Sequence, residues 1–165
     1  MSVTEQHVRE VLATVHDPEI PVITIDDLGI LRDVRVDGER VTVVITPTYS
    51  GCPAMDEIRA DIRAALAASG VEDVAVETVL SPAWTTDWMS EAGRDRLRAF
   101  GIAPPTRRSG PVPVTLGRRT AGGVVSCPQC GSADTEELTR FASTSCKALW
   151  RCRSCREPFD HFKDH

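Results

Sequence analysis

The chain has 165 residues, 41% of them hydrophobic and 26% charged, with a formal charge of −5, values ordinary for a soluble globular protein. No apolar run approaches the roughly 18 to 20 residues of a membrane span. Met1 to Glu10 has neither the basic start nor the apolar middle of a signal peptide, so a cytoplasmic protein with no membrane partner is expected. Six cysteines in such a chain read as metal or thiol chemistry before disulfides.

Val8, Val11, Leu12 and Val15 recur at helical spacing, which predicts an amphipathic helix over 3–15. His16-Asp17-Pro18-Glu19-Ile20-Pro21 stops it, because a proline disfavours helical geometry in the residue before it. Two prolines around Glu19 imply a stiff, extended loop holding Asp17 and Glu19 at fixed positions; a solvated turn is the plainer alternative. Asp26-Asp27 reads as solvated loop. A strand follows, with Ile30, Val34 and Val36 on one face and Asp33 and Arg35 opposite. Asp37-Gly38 signals a hairpin, and Val41 to Thr46 returns antiparallel.

That strand runs into Thr48-Tyr49-Ser50-Gly51-Cys52-Pro53, and Met55, Ile58, Ile62 and Leu66 mark a helix beyond it. Gly51 suits a tight approach, and Pro53 suits the first helical position, where a missing N–H costs nothing. Cys52 then sits at a helix N-terminus, where the dipole and unpaired N–H groups pull a thiol toward thiolate. A small buried core residue is the competing reading, since free cysteine is among the most buried types. Val74, Val76 and Thr78 alternate as a third strand. Ser81-Pro82-Ala83-Trp84-Thr85 is a polar and aromatic loop, and Asp87 N-caps a last helix to about Ala99. The order α-β-β-α-β-α implies an α+β fold, a small two-layer domain over 1–103.

Residues 104–125 read as a linker, rich in proline and glycine and carrying Arg107-Arg108 and Arg118-Arg119, with an optional edge strand through Val112 and Val114. Residues 1–103 hold 9 Lys/Arg against 18 Asp/Glu, and 104–165 hold 10 against 6, so the halves differ in sign. In the last segment, 126–165, Cys127-Pro128-Gln129-Cys130 and Cys152-Arg153-Ser154-Cys155 have the spacing of a four-thiolate tetrahedral site. So short a segment, with Trp150, Phe159 and Phe162 as a thin core, needs metal binding to fold. Zinc suits the closed site, and iron is the rival. A small β-rich zinc ribbon is expected. Cys146 falls outside the set: either Lys147 lowers its pKa, or it is a packing residue. His161 and His165 are potential ligands for which four thiolates leave no vacancy.

Three runs, His16 to Pro21, Asp27-Leu28-Gly29-Ile30 and Thr48 to Pro53, resemble the signature of the SufT-like iron–sulfur assembly domain, and Ser81 to Met89 continues it. With Cys-Pro-x-Cys-Gly, Ser143-Thr144-x-Cys146-Lys147-Ala148-Leu149 and Arg156-Glu157-Pro158-Phe159-Asp160, nearly the whole chain resembles the PaaD family, encoded with the bacterial phenylacetyl-CoA epoxidase. The resemblance implies an accessory factor of aerobic phenylacetate degradation rather than an enzyme. Such a factor assists assembly or repair of an iron–sulfur cluster, with the epoxidase subunits, above all the reductase, as partners. It makes Cys52 the thiol that handles a transient iron or cluster, places Asp17 and Glu19 in its acidic loop, and has Thr48, Ser50, Gly51 and Pro53 frame it. Family members commonly end Phe-Lys-Cys, whereas this chain reads Phe162-Lys163-Asp164. That departure puts in doubt a pairing of Cys146 with a terminal thiol, leaving Asp164 as a poor oxygen ligand or Cys146 acting alone. Two alternatives stand: a zinc-ribbon binding module for nucleic acid or protein, which the net charge disfavours, and a thiol enzyme with His16 as its base.

Overall fold

The computed structural model describes residues 3–106 and 124–164. Within these the chain divides into two compact units, Met1–Gly93 and Arg94–His165. Most of the expected linker, with its arginine pairs and the strand through Val112 and Val114, lies outside the described residues, as does His165.

The first unit opens with α1 (Glu5–Leu12), capped by Thr4 Oγ1 accepting from the His7 N–H at 3.3 Å. Its inner stripe, Val8 and Leu12, is wholly buried. Strands β1 (Leu31–Asp37) and β2 (Arg40–Ile45) form an antiparallel hairpin closed by Gly38, whose φ of +63° fits glycine. Helix α2 (Ala54–Ala68) returns the chain to β3 (Val74–Thr78), which pairs with β2 in parallel. The sheet order is β1-β2-β3. Val41, Val43 and Ile45 are wholly buried, as are Ile58, Ile62 and Leu66 of α2. The element order and the α+β class match the sequence pattern.

The strand alternation breaks at one place. A register shift between Leu31 and Asp33 is a β-bulge, so Leu31 and Val34 are both buried while Val36 is only half-buried. The bulge turns Arg32 outward, and its guanidinium lies 3.6 Å from the centroid of Trp88.

The loop Asp26-Asp27 is not simply solvated. Asp27 Oδ1 accepts the Ser90 hydroxyl at 2.7 Å, its carbonyl accepts the Ser90 N–H at 2.8 Å, and Trp84 Nε1 donates to the Leu28 carbonyl at 2.9 Å. These bonds fasten the 24–30 loop to the 84–90 loop. Asp87 is not the N-cap of the last helix: it lies in a 3₁₀ turn (Thr86–Trp88) started by Thr85. Ser90 Oγ instead accepts the Gly93 N–H at 2.9 Å, capping α3 (Glu91–Phe100).

The second unit is a four-stranded sheet of order β4-β7-β6-β5, from β4 (Ile102–Ala103), β5 (Thr135–Thr139), β6 (Lys147–Cys152) and β7 (Pro158–Phe162). Only β4 pairs in parallel, with Ile102 beside Asp160. Ala103, Val125, Cys127, Ala148, Trp150, Cys152 and Phe159 form its core, and Phe162 is 1% exposed. So few large side chains make a thin core, as the composition implied.

Gly29 has φ +73°, and a Cβ there would meet Trp88 Cβ at 2.7 Å and Trp88 O at 2.9 Å. Gly29→Ala is therefore expected to lower stability by about 2 kcal/mol or more, from left-handed strain plus overpacking. Gly38→Ala, with open space around it, should cost only the strain, about 1 kcal/mol. Urea midpoints measured by circular dichroism check the difference.

Candidate functional site

Because β2 and β3 are parallel, the turn leaving β2 and the start of α2 lie at the carboxyl edge of that pair, where open α/β sheets commonly hold ligands. Gly51 has φ +85°, and a Cβ added to it would meet nothing within 4 Å, so it is needed for its torsion rather than for a tight approach. Pro53 has helical angles, φ −68° and ψ −24°, and α2 proper begins one residue later. Cys52 is half-buried, and its thiol accepts the Ala54 N–H, the expected helix-start contact.

The thiol is nevertheless not drawn toward thiolate. Burial pushes its pKa up, and the carboxylates of Glu19 and Asp17 push it further. The Ala54 N–H and the Tyr49 side chain pull the other way and do not prevail. The helix-start contact is real, but burial and the acids outweigh it. Both acids of the acidic loop act on the Cys52 thiol through their charge.

That loop is a turn rather than an extended segment. Asp17 Oδ1 accepts the N–H groups of Glu19 and Ile20, each at 2.8 Å, and Ile20 and Ile23 anchor the turn in the core. Asp17 is buried and Glu19 half-buried. His16 is exposed, and its Nδ1–H donates to the Thr14 carbonyl at 2.9 Å. Of the framing residues, Ser50, Gly51 and Pro53 are exposed and Thr48 half-buried. Tyr49, which reaches the thiol, was missed; its signal was being the one tyrosine of the chain, three residues before Cys52.

In the second unit the sulfurs of Cys127, Cys130, Cys152 and Cys155 lie within 4.8 Å of one another. Cys127 Sγ and Cys155 Sγ are 3.7 Å apart, and Cys130 Sγ and Cys152 Sγ 3.6 Å. A tetrahedron with metal–sulfur bonds of about 2.3 Å has edges of about 3.8 Å, so the four thiols fit zinc. Cys152 is held down at about 6, first by the Cys155 N–H at 3.5 Å. Cys155 is pushed up to about 12: the Glu157 N–H favours its thiolate, but desolvation and the thiols of Cys152, Cys130 and Cys127 outweigh that. One negative charge is tolerated among the four and further ones are resisted, until a cation neutralises them.

Cys146 is buried, and its Sγ lies 3.1 Å from Thr144 Oγ1. Lys147, its strand neighbour, makes an ion pair with Asp160 at 3.4 Å. Asp164 accepts the Thr106 N–H at 2.8 Å and the Thr106 hydroxyl at 2.6 Å. His161 is buried edge-on to Trp150, ring centroids 5.7 Å apart, and burial holds its pKa below the usual histidine value.

Two expectations follow. In the zinc-loaded chain, alkylation of Cys52 followed against pH should titrate above an ordinary thiol, and Glu19→Gln should bring the midpoint down, because removing a negative neighbour eases loss of the proton. Stripping the metal should unfold the 124–164 sheet, since binding contributes on the order of 10 kcal/mol to folding such units. Loss of amide protection in β6 and β7, with one metal per chain before stripping, checks this.

A family model described as iron–sulfur cluster assembly protein matches residues 5–79, and one described as PaaD zinc beta ribbon domain matches 111–163. The chain is similar to a 1,2-phenylacetyl-CoA epoxidase subunit of Escherichia coli (strain K12): 48% identical over 152 residues, 92% of this chain and 88% of that one. The Fe-S protein maturation auxiliary factor of Porphyromonas gingivalis is 41% identical over 90 residues, 53% of this chain and 85% of its own. Among solved structures, the domain of unknown function DUF59 from Bacillus anthracis matches with a TM-score of 0.53 and 29% identity, covering 56% of this chain and 90% of that one. At 48% identity across most of both lengths, with an assembly domain followed by a metal-binding ribbon, the chain belongs to the PaaD family.

Proposed function

We propose that Cys52 takes up iron or an iron–sulfur cluster transiently and passes it to the reductase subunit of the phenylacetyl-CoA epoxidase, in the cytoplasm. As a PaaD family member the chain is an accessory factor of iron–sulfur assembly in the phenylacetate system, not the oxygenase. No helix among the described residues is long and apolar enough to cross a membrane.

One observation carries the reading of Cys52. Glu19 and Asp17 both act on the thiol and both disfavour its thiolate. A thiol so placed resists ionising alone and ionises readily around a cation, because a bound metal deprotonates a coordinating thiol outright. Soft sulfur then matches iron or a cluster edge. In this reading Tyr49 and the Ala54 N–H steady the sulfur, and Thr48, Ser50, Gly51 and Pro53 shape the turn. The ribbon, with its four thiolates closed on a structural metal, serves as a docking module for the client. Cys146 acts there as a packing residue.

The competing roles have less support. A covalent nucleophile needs a lowered pKa or an adjacent base, whereas burial raises the pKa of Cys52. For nucleic acid, the ribbon's Arg151 and Arg153 both pair with Glu136 rather than forming an open basic face.

Cys52→Ala is expected to lower cluster occupancy of the reductase severalfold in cells grown on phenylacetate, with the ribbon still metal-loaded. Iron analysis and the visible absorption of the purified reductase measure it, and unchanged occupancy would sink the proposal.

A further inference from the structure

The two cysteine loops of the ribbon are tied to each other at a point outside the four sulfurs. Ser132 and Ser154 belong to different loops, 22 positions apart, and their hydroxyl oxygens share a hydrogen bond at 2.7 Å. Each serine is also fastened to a cysteine on its own side. The Ser132 carbonyl accepts the Cys127 N–H at 2.9 Å, and the Ser132 hydroxyl accepts the Asp134 N–H at 3.1 Å. Ser154 lies between Cys152 and Cys155, and its N–H favours the Cys152 thiolate. Beside it, the Arg153 N–H donates to the Asp134 carbonyl at 2.9 Å. The hydroxyl pair therefore links the backbone frame of Cys127 and Cys130 to that of Cys152 and Cys155.

A metal held by two thiolates from each loop leaves in steps, one sulfur at a time. While the loops stay together, a sulfur that lets go remains at high effective concentration beside the ion and closes on it again. Complete loss requires the loops to part, and parting breaks the bond between Ser132 and Ser154. We propose that these two serines are positioning residues of the metal centre: their shared hydrogen bond clasps the loops and slows loss of the ion. They supply no ligand and act only by holding the two cysteine pairs at one separation. The ribbon ion is then a resident rather than cargo. The inference rests on the four thiolates holding a metal and is independent of what Cys52 does.

The test uses the full chain loaded with zinc and mixed with excess of a coloured chelator, so that absorbance follows release. Ser132→Ala and Ser154→Ala should each speed release about fivefold, the worth of one neutral hydrogen bond. The double variant should release no faster than either single one, because both remove the same bond. Ser154→Thr keeps a hydroxyl able to donate and accept, and should stay within about twofold of the unmodified chain. Arg151 pairs with Glu136 between the same two strands, away from the loops. Exposed ion pairs contribute little, so Arg151→Gln should also stay within about twofold. Loaded with cobalt instead, every variant should keep the absorption of four thiolate ligands. The clasp is overturned if either alanine variant releases zinc at the unmodified rate, or if the double variant multiplies the two single effects. It is overturned as well if Arg151→Gln speeds release as much as the alanines, which would mean general loosening of the sheet. A changed cobalt spectrum would overturn it too, since the serines would then shape the ligand set itself. Cys52 is present in every variant, so none of these outcomes bears on its iron-handling role.

Discussion

Parallel pairing of β2 with β3 is the constraint on which the Cys52 site depends. Two parallel strands cannot be joined by a hairpin, so the chain must cross back through a longer element. Helix α2 is that element, and its first turn has to begin where β2 ends. The positive torsion of Gly51 and the fixed angle of Pro53 make this change of direction within three residues. The sulfur between them is left half-buried at a sheet edge, beside a turn entering from α1.

Both thiol sites obey one electrostatic rule at different strengths. Around Cys52, two carboxylates and partial burial oppose the thiolate. Among the four ribbon cysteines, one thiolate opposes the others. Each site is poorly suited to carry its full negative charge alone and well suited to carry it around a cation. They differ in the number of donors. Four sulfurs at tetrahedral separations enclose an ion and hold a thin β unit together; a single sulfur with nearby carboxylates does neither.

What could be read from the residues was whatever depends on local period or spacing. Leu12, Ile58 and Leu66 recur at helical intervals and Val41, Val43 and Ile45 alternate, so α1, α2 and β2 were plain. The two Cys-x-x-Cys pairs were equally plain, because the chemistry fixes their spacing. Features set by contacts distant in sequence were not. Asp27 looks like any loop acid until Ser90, sixty-three residues later, donates to it. Arg32 gives no sign that a bulge aims it at Trp88, or Ser90 that it, rather than Asp87, caps α3. The case of Cys52 differs again: its helix-start contact was legible, but the direction of its pKa depended on burial and on carboxylates some thirty residues earlier.

The four ribbon cysteines are unequal in one further respect. Cys127 and Cys152 are buried, whereas Cys130 and Cys155 are exposed. The exposed sulfurs come one from each knuckle, so an oxidant arriving from solvent reaches the second thiol of both loops before the first thiol of either. Damage would begin at both jaws together, and the inner sulfurs, set among Trp150 and Phe159, would be exposed only once loss of the metal opens the sheet.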